Sequence, residues 1–104
     1  MSINLLEIPA ADTGYKESDG KLSYEFDWEF IESMAKRMSK NKSKYGPYNW
    51  KKPIEVEQLK QAIVRHVVEL MKGNYDDDGD ELGHVTALSC NAQMLFYQLK
   101  NYKD

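Results

Sequence analysis

An all-α fold is the class this sequence predicts: a small bundle of three main helices behind an irregular N-terminal arm. Three observations lead there. Apolar residues recur at helical spacing in three separate stretches, no stretch alternates strictly as a half-buried strand does, and the breaks between stretches carry Gly, Pro, Asn or Asp. The 104 residues, 41% hydrophobic and 30% charged, suit one soluble domain with a modest core.

Residues 1–21 hold scattered apolar side chains among Pro9, Asp12, Gly14, Asp19 and Gly20. They read as the arm, with a short packed stretch at residues 3–8, and residues 22–104 as the domain. Asp27 suits a helix N-cap, and Phe30, Ile31, Met34 and Met38 follow at helical spacing. Asn41 is expected to end this first helix in a left-handed conformation. Residues 42–54, with Gly46, Pro47 and Pro53, should form a structured loop. A second helix is expected over residues 55–72, burying Val56, Leu59, Ile63, Val67, Leu70 and Met71, with Gly73 placed to close it. A third is expected over residues 80–102, with a stripe of Val85, Leu88, Ala92, Leu95, Phe96 and Leu99.

The net charge of −3 argues against a protein whose main task is to neutralise nucleic-acid backbones. Ten of the fourteen Lys and Arg residues lie between Lys36 and Lys72, among only three acids, so the middle of the chain can attract a small anion. Cys90 is the one cysteine, which excludes an intrachain disulfide and fits a reducing compartment. No cationic residue neighbours it in the sequence, which speaks against a nucleophilic role. The first residues lack a secretory pattern and no apolar run reaches membrane-spanning length, so a cytoplasmic location is expected.

Three polar clusters interrupt the apolar pattern. Lys44, Tyr45, Tyr48, Asn49 and Trp50 offer a cation beside aromatic faces, a surface that stacks a base or simply pins a loop. Arg65 and His66 follow. His66 shares the helix face of Ile63 and Leu70, where a satisfied core histidine is the plain reading, and Glu69 lies within its reach. Arg65 points about 100° away, where a solvated charge is ordinary. The run Asp76-Asp77-Asp78-Gly79-Asp80-Glu81 needs solvent, a cation or a helix terminus to relieve its repulsion. It begins like a calcium-binding EF-hand loop, but Val85 stands where the bidentate glutamate belongs. His84 and Asn91 sit two turns apart among leucines and need polar partners. There is no P-loop, dinucleotide-binding glycine pattern or Ser-His-Asp signature.

In order and spacing the clusters resemble the phage and prophage dATP/dGTP diphosphohydrolase N-terminal domain family. The resemblance runs from Gly20 to Leu99. It rests on Gly20-Lys21-Leu22-Ser23, on Lys44, Tyr45, Gly46, Asn49 and Trp50, on Arg65-His66, and on Gly73, Asp77, His84, Ala87 and Asn91. Such domains look akin to all-α nucleoside triphosphate pyrophosphatases, which implies a helical bundle that assembles as an oligomer in a host cytoplasm. It also implies hydrolysis of a purine (deoxy)nucleoside triphosphate to monophosphate and pyrophosphate with Mg²⁺ or Mn²⁺. On that reading Asp77, Asp80 and Glu81 hold the metal with His84 beside it. His66 orients the attacking water, Arg65 and Lys44 balance charge, and Tyr45, Asn49, Trp50 and Asn91 contact the nucleotide. The chain departs from the pattern where Gly79 replaces the loop glutamate and Asp80-Glu81 replaces a serine-glycine. Of the wider group's paired acidic motifs, Glu29 and Glu32 match only the first. Two other functions fit the same clusters: a non-catalytic nucleotide-sequestering protein, or an inhibitor of a host protein that uses the acidic loop as a charge mimic. A membrane or a DNA or RNA polymer is not an expected partner.

Overall fold

The structure, a computed structural model, describes residues 20–102; the expected arm, residues 1–21, lies outside them but for its last two residues. It contains α1 (Trp28–Tyr45), a 3-10 turn (Asn49–Lys51), α2 (Val56–Met71) and α3 (Gly83–Asn101). Among the described residues there is no strand, and no helix is long and apolar enough to cross a membrane.

Local chemistry accounts for most of the helix ends. The Asp27 carboxylate accepts the Glu29 and Phe30 amides, as an N-cap does. α1 does not stop at Asn41 but runs to Tyr45, because Gly46 (φ 89°) is the first residue after it able to take a positive φ without cost. Lys44 and Tyr45 therefore belong to the last helical turn. Gly73 closes α2 as expected. Its amide donates to the Leu70 carbonyl and that of Asn74 to the Glu69 carbonyl, the paired bonds of a Schellman motif. α3 starts at Gly83 rather than residue 80, because residues 77–80 are a hairpin-like turn. Asp77 and Asp80 exchange both backbone hydrogen bonds, and Asp78 and Gly79 both have positive φ, as a type I′ Asp-Gly turn requires.

α3 is the central helix, with α2 along one side and α1 across another. Ile54, just before α2, meets Gln98 near the end of α3, and His66 meets His84 near its start, so α2 and α3 run antiparallel. The buried core is Leu59, Ala87, Cys90 and Met94, with Thr86 and Gln98 as buried polar members. This corrects the expected stripes. Phe96 is 69% exposed and Met71 84%, and Val67, Ala92 and Leu99 are exposed as well.

The physical reason is that α2 and α3 are apolar on two adjacent faces and use only one. The exposed residues Val64, Val67, Met71, Ala92, Phe96 and Leu99 each follow an inward-facing residue by one position, a rotation of about 100°. In an antiparallel pair that rotation brings both stripes to the same side. α1 covers the opposite side, where Ser33 meets Thr86 and the Met34 carbonyl meets the Cys90 thiol.

Gln98 anchors the 46–54 loop. Its side-chain amide donates to the Trp50 and Lys52 carbonyls at 2.9 and 2.8 Å, and its oxygen accepts the Ile54 amide at 3.0 Å. The Tyr102 hydroxyl adds a bond to the Lys51 carbonyl, and Trp50 packs edge-on against Tyr97.

Candidate functional site

The helical register turns His66 of α2 toward the first turn of α3, where His84 faces back. Their Nδ1 atoms are 2.9 Å apart, so one ring donates to the other. Asp77 forms the third corner; ligating atoms of His66, Asp77 and His84 all lie within 4.8 Å of one another. Arg37 reaches in from α1. Its Nη2 donates to Asp77 Oδ2 at 2.7 Å and its Nη1 to the Gly83 carbonyl at 3.3 Å. All three helices and the acidic turn thus converge on one polar cluster.

Gly83 makes the convergence possible. A Cβ there would lie 2.8 Å from the Asp77 backbone nitrogen and Cβ, closer than atoms pack, and closer still to the Asp77 carbonyl. The His84 amide donates to the Tyr75 carbonyl and that of Gly83 to the Asp80 carbonyl, which tie the turn to the helix start.

The cluster is poised electrostatically. Burial pushes the His66 pKa below 6.5, partly offset by the Asp77 carboxylate and reinforced by His84, Arg37 and Arg65. The Arg37 hydrogen bond holds Asp77 below its ordinary 3.8. At neutral pH the corner therefore holds a neutral His66 imidazole, an ionised carboxylate and a guanidinium. Cys90 takes no part: it is buried in the core, and burial raises its thiol pKa.

The other expected site residues are dispersed. Asp80 Oδ2 accepts from Ser33 Oγ and its Oδ1 from the Leu82 amide, so Asp80 organises the turn. Glu81 is exposed. Asp77, Asp80 and Glu81 do not form one ligand group; among the described residues the group of three ligating side chains is the two-histidine, one-aspartate set. That donor set does not fit Mg²⁺, which prefers oxygen and water. Glu69 turns to the Asn74 side chain and not to His66, a bond that lowers its pKa. Arg65 is exposed and joins no ion pair among the described residues. Asn91 donates back to the Ala87 carbonyl on its own helix.

Tyr45, Asn49 and Trp50 do come together, with Met38, Tyr48 and Met94, around a cavity of 450 Å³. Lys44 stays outside it, its ammonium 5.1 Å from the centre of the Tyr45 ring. Met94 lies ten residues along α3 from His84, so cavity and cluster are roughly 15 Å apart along the helix. A second cavity of 440 Å³ opens between α1 and the acidic turn, lined by Ser33, Lys36, Arg37, Lys40, Asp78 and Asp80 among others. Here the cationic middle of the chain meets the acidic turn: Lys40 pairs with Asp78 as Arg37 does with Asp77.

Sequence reasoning missed Arg37, Gly83 and Gln98. Each left a signal. Arg37 follows Met34 by three residues on the inner face of α1, Gly83 directly precedes His84, and Gln98 follows Met94 by four.

A family profile described as "dATP/dGTP diphosphohydrolase, N-terminal" matches residues 11–104. A dATP/dGTP diphosphohydrolase of Salmonella phage PMBT28 is 34% identical over 90 residues, covering 86% of this chain and 31% of that protein. The chain thus spans about a third of that relative's length. No solved structure matches it.

Proposed function

The chain belongs to the dATP/dGTP diphosphohydrolase N-terminal family, and from that premise we propose that it binds a purine deoxynucleoside triphosphate and hydrolyses it to monophosphate and pyrophosphate. The observation that carries this reading is the convergence of Arg37, His66, Asp77 and His84 from three helices and a turn. In the reaction, a water oxygen bonds to the α-phosphorus and the α–β bridging oxygen leaves with the pyrophosphate. His66 orients the attacking water, and the proton that water loses passes to solvent. Arg37, with Lys36 and Lys40 along the neighbouring cavity, balances the polyphosphate charge. Tyr45, Tyr48, Asn49 and Trp50 offer the base a mixed aromatic and polar lining. Lys44 and Arg65 contribute only a screened attraction from the surface.

We also assign self-association to the uncovered face of α2 and α3. Its apolar side chains Val64, Val67, Met71, Phe96 and Leu99 are 40–84% exposed, a contiguous apolar surface of the kind that a partner covers.

One observation favours a second reading, a nucleotide-binding module without chemistry of its own: the match covers 31% of the phage enzyme, leaving most of that protein for other parts. Incubation with dATP, dGTP and other triphosphates, with and without Mn²⁺ or Mg²⁺, separates the two. Release of pyrophosphate and monophosphate supports hydrolysis. Saturable binding without product supports the binding module, and neither binding nor product overturns both.

A further inference from the structure

We propose that His66, His84 and Asp77 form a site for a six-coordinate transition-metal ion of the Mn²⁺, Fe²⁺ or Co²⁺ type, in preference to Mg²⁺. Two imidazoles and one carboxylate, supplied by α2, α3 and the turn between them, converge within 4.8 Å. Neutral imidazole is a good ligand for borderline divalent ions and a poor one for Mg²⁺, and two histidines with one carboxylate are a recurring ligand set of octahedral iron sites.

The spacing of the rings is compatible with that geometry. Metal–imidazole bonds are about 2.1 Å, so two neighbouring ligands stand about 3.0 Å apart on an octahedral ion and about 3.4 Å apart on a tetrahedral one. The observed Nδ1–Nδ1 separation is 2.9 Å. Without an ion, that gap holds one N–H···N hydrogen bond. On metal uptake, the donating ring moves its proton from Nδ1 to Nε2, which frees both Nδ1 lone pairs.

Arg37 binds Asp77 Oδ2, and no other hydrogen bond to that carboxylate is present among the described residues, which leaves Oδ1 to the ion. The guanidinium acts as a positioning group for the ligand, as outer partners of metal sites commonly do. Its positive charge also opposes the cation, which favours ions that bind imidazole strongly and weakens binding by ions held through charge alone. Three protein ligands leave three positions on an octahedral ion for water or phosphate oxygens.

This inference shares the cluster with the proposed nucleotide site but does not depend on turnover. The test uses the full chain, stripped with chelator and free of nucleotide, titrated calorimetrically with MnCl₂, CoCl₂, ZnCl₂ and MgCl₂. One Mn²⁺ or Co²⁺ per chain is expected, with Mg²⁺ at least tenfold weaker. The Co²⁺ form should show the weak visible bands of six-coordination. His66→Ala, His84→Ala and Asp77→Asn should each cost more than the roughly tenfold typical of losing an outer partner. The Asp77→Asn variant keeps the side-chain shape, so circular dichroism of the three separates ligand loss from unfolding. Equal affinity for Mg²⁺, binding indifferent to all three substitutions, or the intense bands of tetrahedral Co²⁺ would overturn the proposal. A chain that binds Mn²⁺ and turns over nothing refutes hydrolysis alone. Turnover abolished by loss of both histidines while Mn²⁺ affinity is unchanged refutes the metal site alone.

Discussion

Replacing Gln98 with leucine isolates the contact that holds the aromatic loop to α3. Leucine keeps the bulk but removes one acceptor and two donor hydrogens. The Trp50 and Lys52 carbonyls and the Ile54 amide then lose partners at 2.9, 2.8 and 3.0 Å. A buried backbone group left unpaired costs about 1–3 kcal/mol. Gln98 is 1% exposed but the loop is only half-buried, so water recovers part of that cost. A loss of about 3 kcal/mol is expected, against a total near 5–15 kcal/mol for a domain of this size. That corresponds to a fall in melting temperature of roughly 10–20 °C. Urea unfolding followed by circular dichroism measures the loss, and tryptophan fluorescence follows Trp50 as the loop releases. A change below about 0.5 kcal/mol, the range of an ordinary surface substitution, would refute the clamp.

Gly83→Ala should destabilise by about 1–3 kcal/mol as the new Cβ meets the Asp77 backbone, although alanine favours a helix by about 1 kcal/mol elsewhere. A stabilised variant in urea unfolding would contradict the close approach. Acidification should weaken the fold in two stages. Burial lowers the His66 pKa from 6.5, so its contribution is present above pH 6.5 and lost as pH falls through the lowered value. Asp77, lowered from 3.8 by Arg37, contributes above pH 3.8 and loses that contribution as pH falls through its own lowered value. Urea unfolding across the acid range should show His66→Gln removing the first stage and Asp77→Asn the second; a wild-type stability that rises below pH 6.5 would be inconsistent with both. Phe96→Asp should leave helix content intact and convert the protein to monomer in sedimentation, and a wild-type protein that sediments as monomer already would exclude the assigned interface.

Features set by short-range chemistry were legible in the sequence. Asp27 caps α1 because its carboxylate meets amides two and three residues on, and Gly73 closes α2 because it alone tolerates the required φ. The three helices followed from periodicity. Periodicity did not reveal which of two apolar faces on α2 and α3 packs, because the choice depends on where α1 lands. The end of α1 was misplaced because Asn41 tolerates a left-handed backbone but does not demand one. At the acidic run, charge drew attention away from the Asp78-Gly79 dipeptide, a turn signal in its own right. His66, His84 and Asp77 could each be named, but their meeting depends on the antiparallel register of α2 and α3. Arg37 entered only through the tertiary crossing of α1.

The most direct test of the central claim, that this cluster handles a nucleotide's phosphates, is a histidine side-chain NMR titration with dATP and dGTP. The resonances of His66 and His84, the two histidines in the chain, should shift together and saturate with the nucleotide, and Arg37→Met should weaken that response. Saturable nucleotide binding that leaves both histidines unmoved would place the ligand elsewhere and contradict it.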